Sequence, residues 1–166
     1  MKTLLLMRHA KSSWKNADLA DYERPLKKRG RKDTRSMQEL LKQENHIPEQ
    51  IVCSAAQRAL ETGELLVEDV EIPGGISYTN SLYLAEISDL VMVIQNLDDA
   101  YDTGMLIGHN PGLEGLVQVL SDEIKALPTA AVAILELSIE SWKQINGDSD
   151  GKLIELWRPL RGSKKK

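Results

Sequence analysis

Cysteine is nearly missing: Cys53 stands alone among 166 residues. An internal disulfide and a cysteine-based metal cluster are therefore excluded. Long hydrophobic runs are missing too, and the longest apolar stretches fall far short of a membrane span. Lys2 leads into a strand-length run with no cleavage-site pattern, so a cytoplasmic protein with no membrane partner is expected. Nor is there an excess of positive charge. The net charge of −4 argues against general nucleic-acid binding, with one local exception described below. Among the few histidines, His9 and His109 have no third ligand at zinc-like spacing, so no metal or other cofactor is expected.

What is present is ordinary globular composition, 42% hydrophobic and 28% charged, in a length that suits one domain with a sizeable core. Residues 1–160 read as that domain and 161–166 as a basic solvated tail. The chain is organised around its first ten residues. Thr3 to Met7 is a near-continuous apolar run, the mark of a strand buried on both faces of an α/β sheet. Arg8 and His9 follow at once, and open α/β sheets bind ligands just beyond the carboxyl ends of their strands. Two further short apolar runs, residues 50–54 and 103–107, read the same way. Helices are expected at 28–44, 55–69 and 87–96, with another opening at Pro111. Residues 76–78 suggest a minor strand, and 129–139 with 151–157 an antiparallel pair. Residues 10–26 read as a long loop over the strand end, a length that is often functional.

The three runs end in Arg8-His9, in Ser54 leading to Arg58, and in Gly108-His109-Asn110. Parallel neighbours would bring two arginines and two histidines to one sheet edge. That set suits a tetrahedral dianion, because each guanidinium offers a fork of donors matching phosphate oxygens. The helix starts near Ala55 and Pro111 would add free backbone N–H groups and positive dipole ends. Neighbouring cations would keep one imidazole neutral and able to attack phosphorus. Cys53 and Arg58 are near the thiolate arrangement of cysteine phosphatases, but four residues separate them where that motif has five, and no glycine intervenes. Cys53 therefore reads as a buried strand thiol. His46 is isolated and takes no role. The run Lys27, Lys28, Arg29, Arg31, Lys32, Arg35 opposes the dipole of the helix it begins. It is either a solvated face or a landing surface for an acidic or phosphorylated partner.

Met7-Arg8-His9-Ala10 resembles the Arg-His-Gly signature of the histidine phosphatase superfamily, with alanine replacing glycine. Four segments together resemble the small SixA-type phosphohistidine phosphatases: Arg8-His9-Ala10-Lys11; Arg24-Pro25-Leu26 with Gly30; Cys53-Ser54-Ala55 leading to Arg58-Ala59 and Glu61-Thr62; and Gly108-His109-Asn110-Pro111. The resemblance implies a three-layer α/β/α fold with a mostly parallel, mixed central sheet, as in phosphoglycerate mutase-like proteins. It implies that His9 is the nucleophile and that Arg8, Arg58 and His109 bind the phosphoryl group, with Arg24 and Asn110 as further substrate-binding residues. The implied activity is metal-independent removal of the phosphoryl group from phosphohistidine in a protein, such as a phosphotransfer domain.

Two other functions compete with this one. A phosphomonoesterase for a small metabolite would need a general acid, and Glu86 lies in about the right region. A non-catalytic phosphoprotein-binding module would use the same pocket, although a pure binder has no need of His9.

Overall fold

The strand β1, Lys2–Arg8, has Leu4 and Leu6 in one hydrophobic cluster and Leu5 and Met7 in the other, all fully buried. That alternation is the period of two of a pleated strand, and it means that both faces must be covered. The remaining strands are β2 (Gln50–Ser54), β3 (Ile76–Thr79), β4 (Thr103–Gly108), β5 (Val132–Leu137) and β6 (Gly151–Trp157). They form one sheet in the order β3-β2-β4-β1-β5-β6. Pairings are parallel from β3 through β2 and β4 to β1, and antiparallel from β1 through β5 to β6. The structure, a computed structural model, describes residues 1–148 and 151–159. The expected tail at 161–166 and the domain boundary at 160 lie outside them.

Four helices supply the covering layers. Helices α1 (Lys28–Gln43) and α2 (Gln57–Leu66) bring Met37, Leu41, Ala59 and Leu66 onto Leu5 and Met7. Helices α3 (Ile87–Gln95) and α4 (Gly112–Ser121) bring Leu90, Ile94, Leu113 and Leu116 onto Leu4 and Leu6. The result is the expected mixed α/β/α sandwich. Among the described residues no helix is long and apolar enough to cross a membrane.

Register puts the chemistry at one edge. Arg8 pairs with Gly108 and Cys53 with Ile107, so His9, His109 and Ser54 leave the sheet side by side. Several boundaries differ from expectation, with α2 ending at Leu66 and β5 at Leu137, and three starts have a visible cause. Helix α2 starts at Gln57, because the Ala55 N–H bonds the Thr79 carbonyl and the Ala56 N–H bonds Ser54 Oγ. These donors are engaged within the fold, and the Leu113 N–H of α4 likewise reaches the His109 carbonyl. Pro111 caps α4 and stands one residue before the first helical position. Strand β5 begins only at Val132: Ala130 takes a left-handed φ of 64°, its N–H shared between the carbonyls of Arg8 and His9. The 10–26 segment is a loop with one 3-10 turn at Asp21–Glu23, pinned by a bridge between Ser12 and Leu26.

Candidate active site

His9 follows the last residue of β1 and is 5% exposed. Its Nδ1 lies 2.8 Å from the Ala10 carbonyl oxygen. A carbonyl can only accept, so the ring proton sits on Nδ1 and Nε2 keeps its lone pair. The Ala10 backbone is itself fixed, its N–H bonding Thr62 Oγ1 at 3.0 Å, while Thr62 donates to the Arg58 carbonyl at 2.7 Å. Burial first, then the positive fields of His109, Arg58 and Arg8, pushes the His9 pKa down to about 3. The imidazole is neutral, as the sequence suggests, but desolvation outweighs the neighbouring cations as the cause.

Arg58 stands in the first turn of α2, 5% exposed, with Nε 3.3 Å from His9 Nε2. Its terminal nitrogens donate to the Asp21 carbonyl at 2.7 Å and to Asp21 Oδ2 at 3.0 Å. Three of its five N–H groups are thus engaged, leaving two for a ligand. The fork expected to face phosphate is largely turned onto Asp21. Asp21 also accepts from Tyr83 Oη at 2.6 Å and from Arg24 Nε at 3.3 Å. The Tyr83 hydrogen bond, then Arg58, holds its carboxyl down at about 2 despite some burial. Asp21 and Tyr83 were not among the candidates read from the sequence. They lie in a loop without periodicity and beyond β3, and only the fold joins them to Arg58.

His109 follows β4, its ring centroid 5.0 Å from that of His9 and 5.4 Å from that of Tyr83. Its Nε2 is 2.8 Å from Ser54 Oγ. Ser54 Oγ also accepts the Ala56 N–H at 3.2 Å, and with its own hydrogen turned to Nε2 the ring proton is on Nδ1. Burial, with Arg58 next, pushes the His109 pKa down to about 4.

Arg8 and Asn110 share one anchor, the Leu127 carbonyl, at 3.2 Å from Arg8 Nη1 and 2.8 Å from Asn110 Nδ2. Arg24 is 7% exposed and lies with its guanidinium carbon 3.5 Å from the ring centre of Trp14. All of these side chains line one cavity of about 200 Å³ together with Lys11, Ser12, Leu84 and Thr129. Among the described residues, the buried side-chain polar atoms without a hydrogen-bond partner are Arg8 Nε, Arg24 Nη1, His109 Nδ1 and Asn110 Oδ1. Every one belongs to a residue lining this cavity. Unsatisfied buried groups of this kind are costly, roughly 1–3 kcal/mol each, and their gathering at one place calls for a ligand. Two are guanidinium donors and one an imidazole nitrogen, a set that fits a tetrahedral oxyanion. The free atom of Asn110 is an acceptor and suits an N–H on a ligand rather than a phosphoryl oxygen.

The cavity thus assembles Arg8, His9, Arg24, Arg58, His109 and Asn110. It does not include Glu86, which is exposed at the N-cap of α3, its own N–H bonding Asp89 Oδ2 at 2.9 Å. The chain turns at Leu84, where φ is 53°; Tyr83 and Leu84 face the site, and Glu86 begins the outer helix. Cys53 is fully buried and donates to the Ala59 carbonyl at 3.1 Å, with burial raising its pKa.

A mixed three-layer α/β domain with a buried, neutral histidine pair and arginines at the carboxyl edge of its parallel strands defines an oxyanion-binding phosphatase class. The chain belongs to the histidine phosphatase superfamily (branch 1), whose model matches residues 4–87. An uncharacterized chloroplastic protein of Arabidopsis thaliana is 30% identical over 170 residues, covering 95% of this chain and 78% of that one. In fold, the chain resembles the protein histidine phosphatase SixA complexed with tungstate, with a TM-score of 0.80 at 22% identity, covering 95% and 97% of the two chains. It also resembles a mycobacterial glucosyl-3-phosphoglycerate phosphatase in complex with VO3, with a TM-score of 0.71 at 13% identity, covering 96% and 100%.

Proposed function

We propose that this phosphatase removes the phosphoryl group from phosphohistidine in a protein through a phospho-His9 intermediate. The observation that carries the reading is the His9 ring, its proton held by the Ala10 carbonyl at 2.8 Å and its unprotonated Nε2 turned to Arg58 Nε at 3.3 Å. A neutral imidazole in a cationic pocket is a nucleophile that needs no separate base. In the first step Nε2 attacks phosphorus while the bond from phosphorus to the substrate imidazole breaks. The departing imidazole takes a proton from solvent. Water then attacks phosphorus, the bond to Nε2 breaks, and inorganic phosphate is released with His9 restored. Arg8 Nε, Arg24 Nη1 and the two remaining Arg58 donors hold the phosphoryl oxygens, and His109 Nδ1 adds a further hydrogen bond. Asn110 Oδ1 accepts an N–H of the substrate.

Two features favour phosphohistidine over a phosphate ester. No carboxyl group occurs among the residues lining the cavity, and nearby Asp21 is held ionised at about 2. An alkoxide leaving group needs a positioned acid, whereas an imidazole with a pKa of about 6.5 is protonated by water near neutrality. At the rim, Trp14 and Leu84 are 75% and 71% exposed, an apolar collar suited to a protein surface. The test compares turnover of phosphohistidine protein with a panel of small phosphate esters, and traps the intermediate by rapid acid-free quenching and mass spectrometry. Phosphohistidine turnover with phosphate on His9 is expected. Efficient turnover confined to one small ester, or phosphate trapped on His109, overturns the reading.

A further inference from the structure

Between Arg24 and Arg35 the chain places seven lysines and arginines and one aspartate, a net +6. With −4 overall, the rest of the chain carries −10. The structure shows where that concentration of charge lies. Lys28, Arg31, Lys32 and Arg35 run along the exposed side of α1, lining with Ser36 and Glu39 an open groove of about 660 Å³. From Lys28 to Arg35 the stripe spans about 10 Å of helix. Among the described residues the side chains of Lys28 and Lys32 have no hydrogen bond or ion pair, and that of Arg35 has only a 4.0 Å approach to Glu68. The pairs Lys28/Lys32 and Arg31/Arg35 repel at i,i+4, and the cations of the first turn oppose the helix dipole. Each arrangement weakens the helix, so neither is accounted for by folding.

The stripe is also joined to the active site. The Lys27 N–H bonds the Lys11 carbonyl at 3.0 Å, and a Cβ on Gly30 would collide with that carbonyl, so α1 packs directly against the backbone of a cavity residue. Arg24, at the other end of the run, lines the cavity itself. The positive run therefore begins with Arg24 in the pocket and continues onto the outer side of a helix whose inner side packs against the pocket wall.

We propose that the α1 stripe docks an acidic protein face that flanks the phosphohistidine, guiding that side chain into the pocket. This rests on the phosphohistidine reading above. Charge complementarity chooses the partner: a surface of one sign on an otherwise acidic molecule attracts a local acidic patch and steers it at long range. An extended polyanion such as nucleic acid would have to pass the strongly negative remainder of the chain. The exposed Trp14 and Leu84 at the pocket rim match a folded protein better than a phosphodiester backbone.

The test uses the double variant Lys28→Glu/Lys32→Glu, both residues exposed and outside the cavity. Three substrates are compared: an acidic phosphotransfer domain and a basic histone, each phosphorylated on histidine with phosphoramidate, and free phosphohistidine. At low salt kcat/KM for the acidic domain should fall by about tenfold or more, the scale of lost steering, and the difference should vanish near 1 M salt. Turnover of free phosphohistidine should be unchanged, and that of the histone unchanged or faster. Equal effects on all three substrates, or none on the acidic domain, refute the docking surface while leaving the phosphohistidine reading intact. A wild type inactive on both phosphoproteins but active on a small ester refutes the functional reading and the docking surface together. Tight binding of an RNA or DNA oligonucleotide that is lost in the variant and displaces the acidic domain would assign the stripe to nucleic acid instead.

Discussion

Nε of Arg58 lies 3.3 Å from Nε2 of His9, while the far end of the same guanidinium holds Asp21 at 2.7 and 3.0 Å. One side chain therefore ties His9, reached from β1, to a carboxylate in the 10–26 loop. Lysine could supply the charge but not these three bonds. Arg58→Lys should recover little of the activity lost in Arg58→Ala, and the alanine variant should lose roughly 10²–10³ in kcat, as for other removed donors to developing charge. Near-wild-type kinetics of Arg58→Lys would show that the fork is not used.

Asp21→Asn removes the charge that orients Arg58 and Arg24 while keeping the side chain's shape. Turnover should fall by about tenfold or more, since misplacing a positioned group by an ångström is that costly. A second readout belongs to Tyr83, whose hydroxyl is raised in pKa chiefly by its bond to Asp21. Ultraviolet titration should show one tyrosine ionising at lower pH in the variant. An unchanged titration would mean that the contact is not kept in solution.

Much of this site is legible in the chain because apolar strands announce their own ends. Leu4 to Met7 can only be a buried strand, so Arg8 and His9 have to emerge at a sheet edge, and the same holds for Ser54 and His109. Asp21 and Tyr83 carry no such mark. Their meeting depends on the path of an irregular loop and on where β3 delivers the chain. Glu86 shows the opposite case: it lies in about the region of the chain where ester-hydrolysing members of the superfamily supply an acid, but the left-handed turn at Leu84 carries it to the outer start of α3.

That displacement gives a direct expectation for Glu86→Gln. With its carboxylate exposed and outside the cavity, the variant should lose less than roughly tenfold on phosphohistidine, well under the ~10²–10⁴ expected of a true general acid. A loss of several orders of magnitude on any substrate would return Glu86 to the reaction as an acid brought in by movement of the chain.

Acid should weaken the fold through its histidines. His9 and His109 titrate near 3 and 4 in the folded chain, against about 6.5 when unfolded. Both values are lowered, so between them and about 6.5 the unfolded chain binds more protons. The stability of the neutral rings is complete above about 6.5 and declines as pH falls toward 4. Urea midpoints should drop between pH 7 and 4.5, and His109→Asn, which cannot take up the proton, should drop less. Parallel curves for the two proteins would show that the ring is not buried neutral.

The position of β1 in the sheet also governs how the molecule is made. Thr3 pairs with Thr103 on one side and Glu136 on the other, so this apolar strand is synthesised long before either neighbour. At roughly 5–20 residues per second, it waits on the order of ten seconds with both edges open on the ribosome. An unpaired apolar strand of this kind is a site for misassociation, which places a demand on the shelter available to the nascent chain. His9 and His109 stand side by side only where β1 is paired with β4, so the candidate site is complete only once that pairing has formed.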